Sequence, residues 1–132
     1  MDTINLTSPI EPEAIKGLKV GTRVLISGVV YTARDAAHGR LVRAIEEGEK
    51  LPLNLEGQTL YYMGPSPARP GQVIGSAGPT TSSRMDIYTP PLLAAGLKAM
   101  IGKGSRSPEV REAIKKHRAV YFVTIGGAGA LL

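Results

Sequence analysis

A chain of 132 residues is one domain's worth of polypeptide, long enough to bury about two-thirds of its unfolded surface. It contains no cysteine, which excludes disulfides and any thiolate-held cluster on its own side chains. The net charge of +5 is scattered, and five tyrosines and one phenylalanine offer little for base stacking, so no nucleic-acid-binding signature is present. A positive field that attracts a dianionic small molecule accounts for the same charge.

Residues 1–17 read as an irregular arm, with Pro9 and Pro12 leading to a helical turn around Glu13 to Gly17. Residues 20–31 are rich in β-branched side chains and predict a strand with a turn or bulge at Gly28. A helix is expected over residues 33–47, with Thr32 as N-cap and Asp35 three residues on in a capping-box arrangement. Ala37, Leu41, Ala44 and Ile45 would form its inner face, and Gly48 would stop it. Leu51 to Leu55 is an extended connector, and strands follow at Thr59 to Met63 and Gln72 to Ala77.

Thr89 followed by Pro90 predicts a capped helix to about Ala95, and Lys98 to Ile101 a short buried strand. Ser107-Pro108 opens a further helix to His117, where Lys115, Lys116 and His117 complement the C-terminal dipole. Ala119 to Ile125 is an apolar strand, and the glycines at 126, 127 and 129 suit close backbone packing. Strand, helix and strand alternating in the second half predict parallel strands with crossovers, whereas the first half looks more like hairpins.

Two segments carry chemistry. In Ile74-Gly-Ser-Ala-Gly-Pro-Thr-Thr-Ser-Ser-Arg-Met-Asp86, two glycines and a proline lead into four consecutive hydroxyl residues closed by Arg84. Hydroxyls, free N–H groups and a guanidinium fork presented on one turn are what a carboxylate or phosphate needs to be held. A solvated Gly/Ser/Thr loop is the plain alternative. In the second segment, Arg34, Asp35 and His38 fall in the first turns of the 33–47 helix. Arg34 and His38 are four apart and would share a face. A cation at a helix N-terminus is opposed by the macrodipole. Asp35 alone is equally well a capping carboxylate, His38 alone an ordinary core or surface histidine, and Asp86 a structural partner for Arg84 or a turn cap.

The segments YTARDAAHGRL (Tyr31 to Leu41), GPTTSSRMD (Gly78 to Asp86), IGKGS (Ile101 to Ser105) and FVTIGGAGALL (Phe122 to Leu132) occur in one order. Together they resemble the β subunit, or C-terminal domain, of the iron–sulfur hydro-lyases: class I fumarate hydratase and L(+)-tartrate dehydratase. Leu6-Thr-Ser-Pro-Ile10 and Leu18-Lys-Val-Gly-Thr22 also look like the start of such subunits, so the likeness covers nearly the whole chain.

The resemblance implies an α/β fold, a swivelling β/β/α domain with one parallel sheet, a second antiparallel sheet and flanking helices. Residues 1–132 would form a single catalytic domain. Family subunits continue beyond the position matching Leu132, which implies that a C-terminal segment of the family is absent here. It also implies hydration and dehydration of a four-carbon dicarboxylate, active only with an iron–sulfur α subunit that holds the 4Fe–4S cluster, in an αβ or α2β2 assembly. Fumarate to malate is the expected reaction, and L(+)-tartrate dehydration the alternative.

By the same likeness Arg34 and Arg84 grip the substrate carboxylates, Thr80 is catalytic beside Lys103, His38 is an active-site residue and Thr81 binds substrate or supports Thr80. No residue of this chain is expected to bind metal. A non-catalytic dicarboxylate- or anion-binding module on the same loop is the rival of a different class. With no membrane-length apolar run and no signal-peptide pattern in Met1 to Pro9, the cytoplasm is the default location.

Overall fold

In a computed structural model of the chain, the structure describes residues 3–62 and 81–124. In chain order the elements are β1 (Thr3–Ser8), α1 (Pro12–Ile15), β2 (Arg23–Gly28), β3 (Tyr31–Thr32) and α2 (Asp35–Glu46). Then come β4 (Thr59–Tyr61), a 3-10 turn (Ser82–Met85), α3 (Thr89–Ala94), β5 (Ala99–Gly102), α4 (Pro108–Lys116) and β6 (Val120–Val123). The expected strand at Gln72 to Ala77, Thr80, and the glycines at 126, 127 and 129 lie outside the described residues.

The larger sheet runs β3-β4-β5-β6 and every neighbouring pair is parallel. Its two faces are apolar in alternation, as a pleat requires. One face carries Leu60, Met100 and Tyr121 into a core built with Leu41 of α2, Leu92 and Leu93 of α3 and Ala113 of α4. The other carries Ala99, Val120 and Phe122 against Ile4 and Leu6 of β1 and Val24 and Ile26 of β2. The layers are therefore a two-stranded sheet, a four-stranded sheet and the helices. Burying each fully enclosed Leu or Met contributes roughly 1.5–3 kcal/mol. The helix side holds most of these: Leu60, Leu92, Leu93, Leu97 and Met100 are at most 2% exposed.

Four expectations need correction. The second sheet is not antiparallel: β1 and β2 pair in parallel from Thr3↔Arg23 to Ser8↔Gly28, joined through α1. Nor is the first half hairpin-like, since β3 and β4 also pair in parallel. The arm over 1–17 contains a full strand, in which Ile4 and Leu6 point inward between outward Thr3, Asn5 and Thr7. The run over 20–31 is two strands, β2 and β3, which belong to different sheets.

Helix starts differ by a residue or two from the sequence reading. Thr32 ends β3, and the N-cap of α2 is Arg34, with extended backbone (φ −125, ψ −159) and no side-chain cap bond. Thr89 is the first residue of α3 and its hydroxyl donates to the Met85 carbonyl at 2.8 Å instead of capping. At α4 the expectation holds: Ser107 Oγ accepts from the Val110 amide at 3.2 Å with Pro108 next in line. Such a cap is worth about 1 kcal/mol.

Candidate functional site

In a parallel sheet the segments that leave the C-terminal strand ends gather on one edge, where ligands bind. Here β3 leads into Arg34, and β5 leads into Lys103. The turn carrying Arg84 joins this edge because the Ser82 amide donates to the Lys103 carbonyl at 2.9 Å and Thr81 bridges Lys103 in parallel. Three sequence-distant segments are thus brought to one side of the molecule, two by strand order and the third by its backbone bonds to Lys103.

Glycines flank Lys103 for two separate reasons. A Cβ on Gly102 would overlap Ser82 Oγ and come within 2.9 Å of the Tyr62 ring, so any larger residue would push the turn off β5. Gly104 has φ +85, a conformation that side chains rarely adopt. Lys103 itself is exposed.

Beside this turn lies a cleft of about 500 Å3 lined by Thr32 to Ala37, Arg40 and Arg84. Among the described residues, three guanidiniums against one carboxylate, Asp35, give its lining a net charge of +2. The unbonded N–H groups of the first turn of α2 point the positive end of its dipole the same way. This positive lining suits an anion.

Arg84 Nη2 lies 3.3 Å from Asp35 Oδ2, across 49 residues of chain, with both side chains about half exposed. A surface pair of this kind is worth about 0–1 kcal/mol and gives way easily to a stronger acceptor. Arg34 and Arg40 make no ion pair among the described residues. The sequence reading missed Arg40; its spacing from Ala36 and Ala37, one turn along the same helix face, was the available signal. Thr81 and Lys103 meet through their backbones and do not line this cleft.

His38 departs from expectation. It does not share an exposed face with Arg34, because Arg34 is an extended cap residue and the i,i+4 rule applies only within a helix. The imidazole is fully buried, 5.3 Å from the Tyr62 ring and 5.9 Å from that of Tyr88. Its Nδ1 sits 2.8 Å from the Arg34 carbonyl, which can only accept, so Nδ1 carries the proton. Nε2 is enclosed with no hydrogen-bond partner among the described residues.

Burial lowers the His38 pKa, assisted by Arg106 and opposed by the Arg34 carbonyl bond and Asp35. A histidine kept neutral in the fold binds fewer protons there than in the unfolded chain, whose imidazole titrates near 6.5. Stability is therefore full above that pH and is lost as pH falls toward the depressed folded value. The melting temperature should drop between pH 7.5 and 5.5, and the drop should shrink in His38→Gln, which has no imidazole to charge. An equal pH slope in both proteins would refute this assignment.

Asp86 does not hold Arg84. It accepts from Arg106 Nε at 2.8 Å and from the Ser107 amide at 2.8 Å. Arg106, whose side chain is 2% exposed, also donates to Thr89 Oγ1 at 3.0 Å and to the Tyr62 hydroxyl at 3.2 Å. Its guanidinium lies over the Tyr121 ring, 4.7 Å from the centroid. This buried arginine was not singled out from the sequence; only its place beside the Ser107-Pro108 helix start marked it.

Compared with known proteins, the whole chain, residues 1–132, matches the family described as Fumarase C-terminus. The chain belongs to that family. It is 41% identical over 114 residues to the aerobic class I fumarate hydratase of Escherichia coli strain K12, covering 86% of this chain and 21% of that protein. Fumarate hydratase 2 of Leishmania major is 37% identical over 132 residues, covering 98% of this chain and 23% of that protein. A Methanocaldococcus jannaschii protein named "Putative L(+)-tartrate dehydratase subunit beta" is 36% identical over 121 residues, covering 89% of this chain and 62% of that protein. The chain thus spans about a fifth of the length of the fumarate hydratases it matches.

An iron–sulfur cluster does not fit this chain's own residues. There is no thiol in the sequence, and the described residues hold no group of three or more His, Asp or Glu side chains that could take a metal ion. Among the same residues no helix is long and apolar enough to cross a membrane.

Proposed function

We propose that this chain is the β-type catalytic part of a hydro-lyase that adds water to, or removes it from, a four-carbon dicarboxylate. The observation that carries the reading is the +2 cleft, in which Arg34, Arg40 and Arg84 surround the N-terminus of α2. Fumarate and malate are the favoured substrate pair, in line with the names of the relatives; tartrate is the alternative. The chain works as one catalytic unit of an αβ or α2β2 assembly in the cytoplasm, in the swivelling β/β/α architecture of its family.

Each proposed role follows from side-chain chemistry. Arg34 and Arg84 grip the two carboxylates, because a planar fork makes two parallel bonds to each. Substrate displaces Asp35 from Arg84, while Arg40 adds a third positive charge along the cleft. Lys103 stabilises Thr80 in its alkoxide form, which takes the carbon-bound proton and becomes a neutral hydroxyl. Thr81 holds the Lys103 backbone in place. His38, buried and bonded to the Arg34 carbonyl, orients Arg34 instead of exchanging protons with substrate. A 4Fe–4S cluster held by a partner α subunit would supply the Lewis acid for the departing hydroxyl.

The test is to combine the chain with a cysteine-bearing iron–sulfur α subunit without oxygen and assay fumarate, malate and tartrate in parallel. Turnover in the mixture, with none from either part alone, is the expected result. Dicarboxylate binding by the chain with no turnover in the mixture would replace this reading with the non-catalytic anion-binding module.

A further inference from the structure

We propose that Tyr121 is a positioning residue that sets Lys103 against the Thr81–Arg84 turn; the catalytic consequence rests on the role given to Lys103 above. The Tyr121 phenol stands between two segments that have no covalent reason to stay together. Its oxygen lies 2.6 Å from Ser82 Oγ and 2.9 Å from the Gly104 carbonyl. A carbonyl only accepts and a phenol has one proton, so the direction is fixed. Tyr121 donates to Gly104, and Ser82 donates to Tyr121.

The resulting chain of Ser82 hydroxyl, Tyr121 hydroxyl and Gly104 carbonyl runs alongside the bond from the Ser82 amide to the Lys103 carbonyl. Consecutive carbonyls at 103 and 104 are therefore both tied, one to the turn and one to the phenol. The peptide that follows Lys103 cannot rotate without breaking one of them. The phenol ring is itself held, by the Arg106 guanidinium stacked 4.7 Å over its centroid. Arg106 also reaches Asp86 at the far end of the same turn. The turn bearing Arg84 and the loop bearing Lys103 are clamped at both ends, by Tyr121 near Ser82 and by Arg106 at Asp86.

Geometry of this kind acts on rate more than on affinity, since small displacements of a reacting group can cost up to about 100-fold. Tyr121→Phe keeps the ring under Arg106 and deletes only the bridging oxygen. In the assembled enzyme it is expected to lower kcat about 10-fold with KM changed by less than about 2-fold. When Lys103 is already Met, adding Tyr121→Phe should have almost no further effect, because a residue that acts through Lys103 has nothing left to position. A general structural weakening would instead lower kcat by the same factor in both backgrounds.

Hydrogen exchange on the full chain gives an answer that needs no activity. The Ser82 amide should exchange several-fold faster in Tyr121→Phe, while the Tyr62 amide, bonded to Ile101 at 2.9 Å within the sheet edge, stays unchanged. Wild-type enzyme inert on all three substrates would remove the hydro-lyase reading and leave the clamp to be decided by exchange alone. Unchanged Ser82 exchange, or equal kcat losses with Lys103 and with Met at 103, would overturn the proposal.

Discussion

Arg106→Met is expected to be the most damaging single change among the described residues, destabilising the fold by about 3–5 kcal/mol. The thermal midpoint should fall on the order of 10–20 °C for a domain of this size. Arg106 is nearly fully enclosed and its partner Asp86 is 12% exposed. Removing the guanidinium leaves a largely dehydrated carboxylate with, among the described residues, the Ser107 amide alone to satisfy it. It also strips partners from the Thr89 and Tyr62 hydroxyls.

The pair's net worth is a separate matter, because desolvating two charges offsets much of their attraction. Arg106→Met combined with Asp86→Leu should therefore cost clearly less than the two single changes added together. Urea and thermal unfolding of the two single variants and the double variant measure this directly. A midpoint within about 3 °C of wild type for Arg106→Met would mean that the ion pair is not buried in solution as it is here.

How much of this was readable from residues alone depended on range. Ser107-Pro108 gave the start of α4 correctly, because a cap and its proline act within one turn. Of the four residues expected on the inner face of the 33–47 helix, Ala37, Leu41 and Ile45 lie against the core and Ala44 is buried, since helical period is a local property. Arg34, Asp35 and Arg84 do meet around one cleft. No spacing rule, however, could have supplied an ion pair across 49 residues, and it was not anticipated; the family likeness gave only that Arg34 and Arg84 serve one substrate.

What failed was decided by pairing partners. The apolar run from Val24 to Tyr31 looks like one strand because both halves favour extended backbone. It divides after Gly28 (φ +92), where the turn or bulge was expected, and the two parts take different partners, β2 meeting β1 and β3 meeting β4. Ile4 and Leu6 show period-two alternation, yet so short a pattern beside two prolines has meaning only once Ala99, Val120 and Phe122 lie beneath it. His38 was misplaced because the backbone at Arg34 is extended, which a helical wheel cannot register. Asp86 was paired with the nearer arginine in sequence, whereas burial selected Arg106.

The second large effect is expected on substrate binding. Arg84→Lys should raise KM for the dicarboxylate about 10–100-fold while kcat changes only a few-fold, because a charge-assisted fork contributes roughly 1.5–3 kcal/mol and an ammonium keeps the charge without the geometry. The side chain is 63% exposed and its one ion pair among the described residues, to Asp35, is long at 3.3 Å. Its loss should leave the thermal midpoint within the small range set by a surface pair. That separates it sharply from Arg106→Met, in which stability falls first. Arg84→Met removes charge as well as shape and should raise KM further. Steady-state kinetics of both variants alongside their melting curves test the assignment: KM unchanged in both, with normal stability, would place the carboxylate clamp elsewhere. The first place to look would then be Arg40, which also lines the cleft.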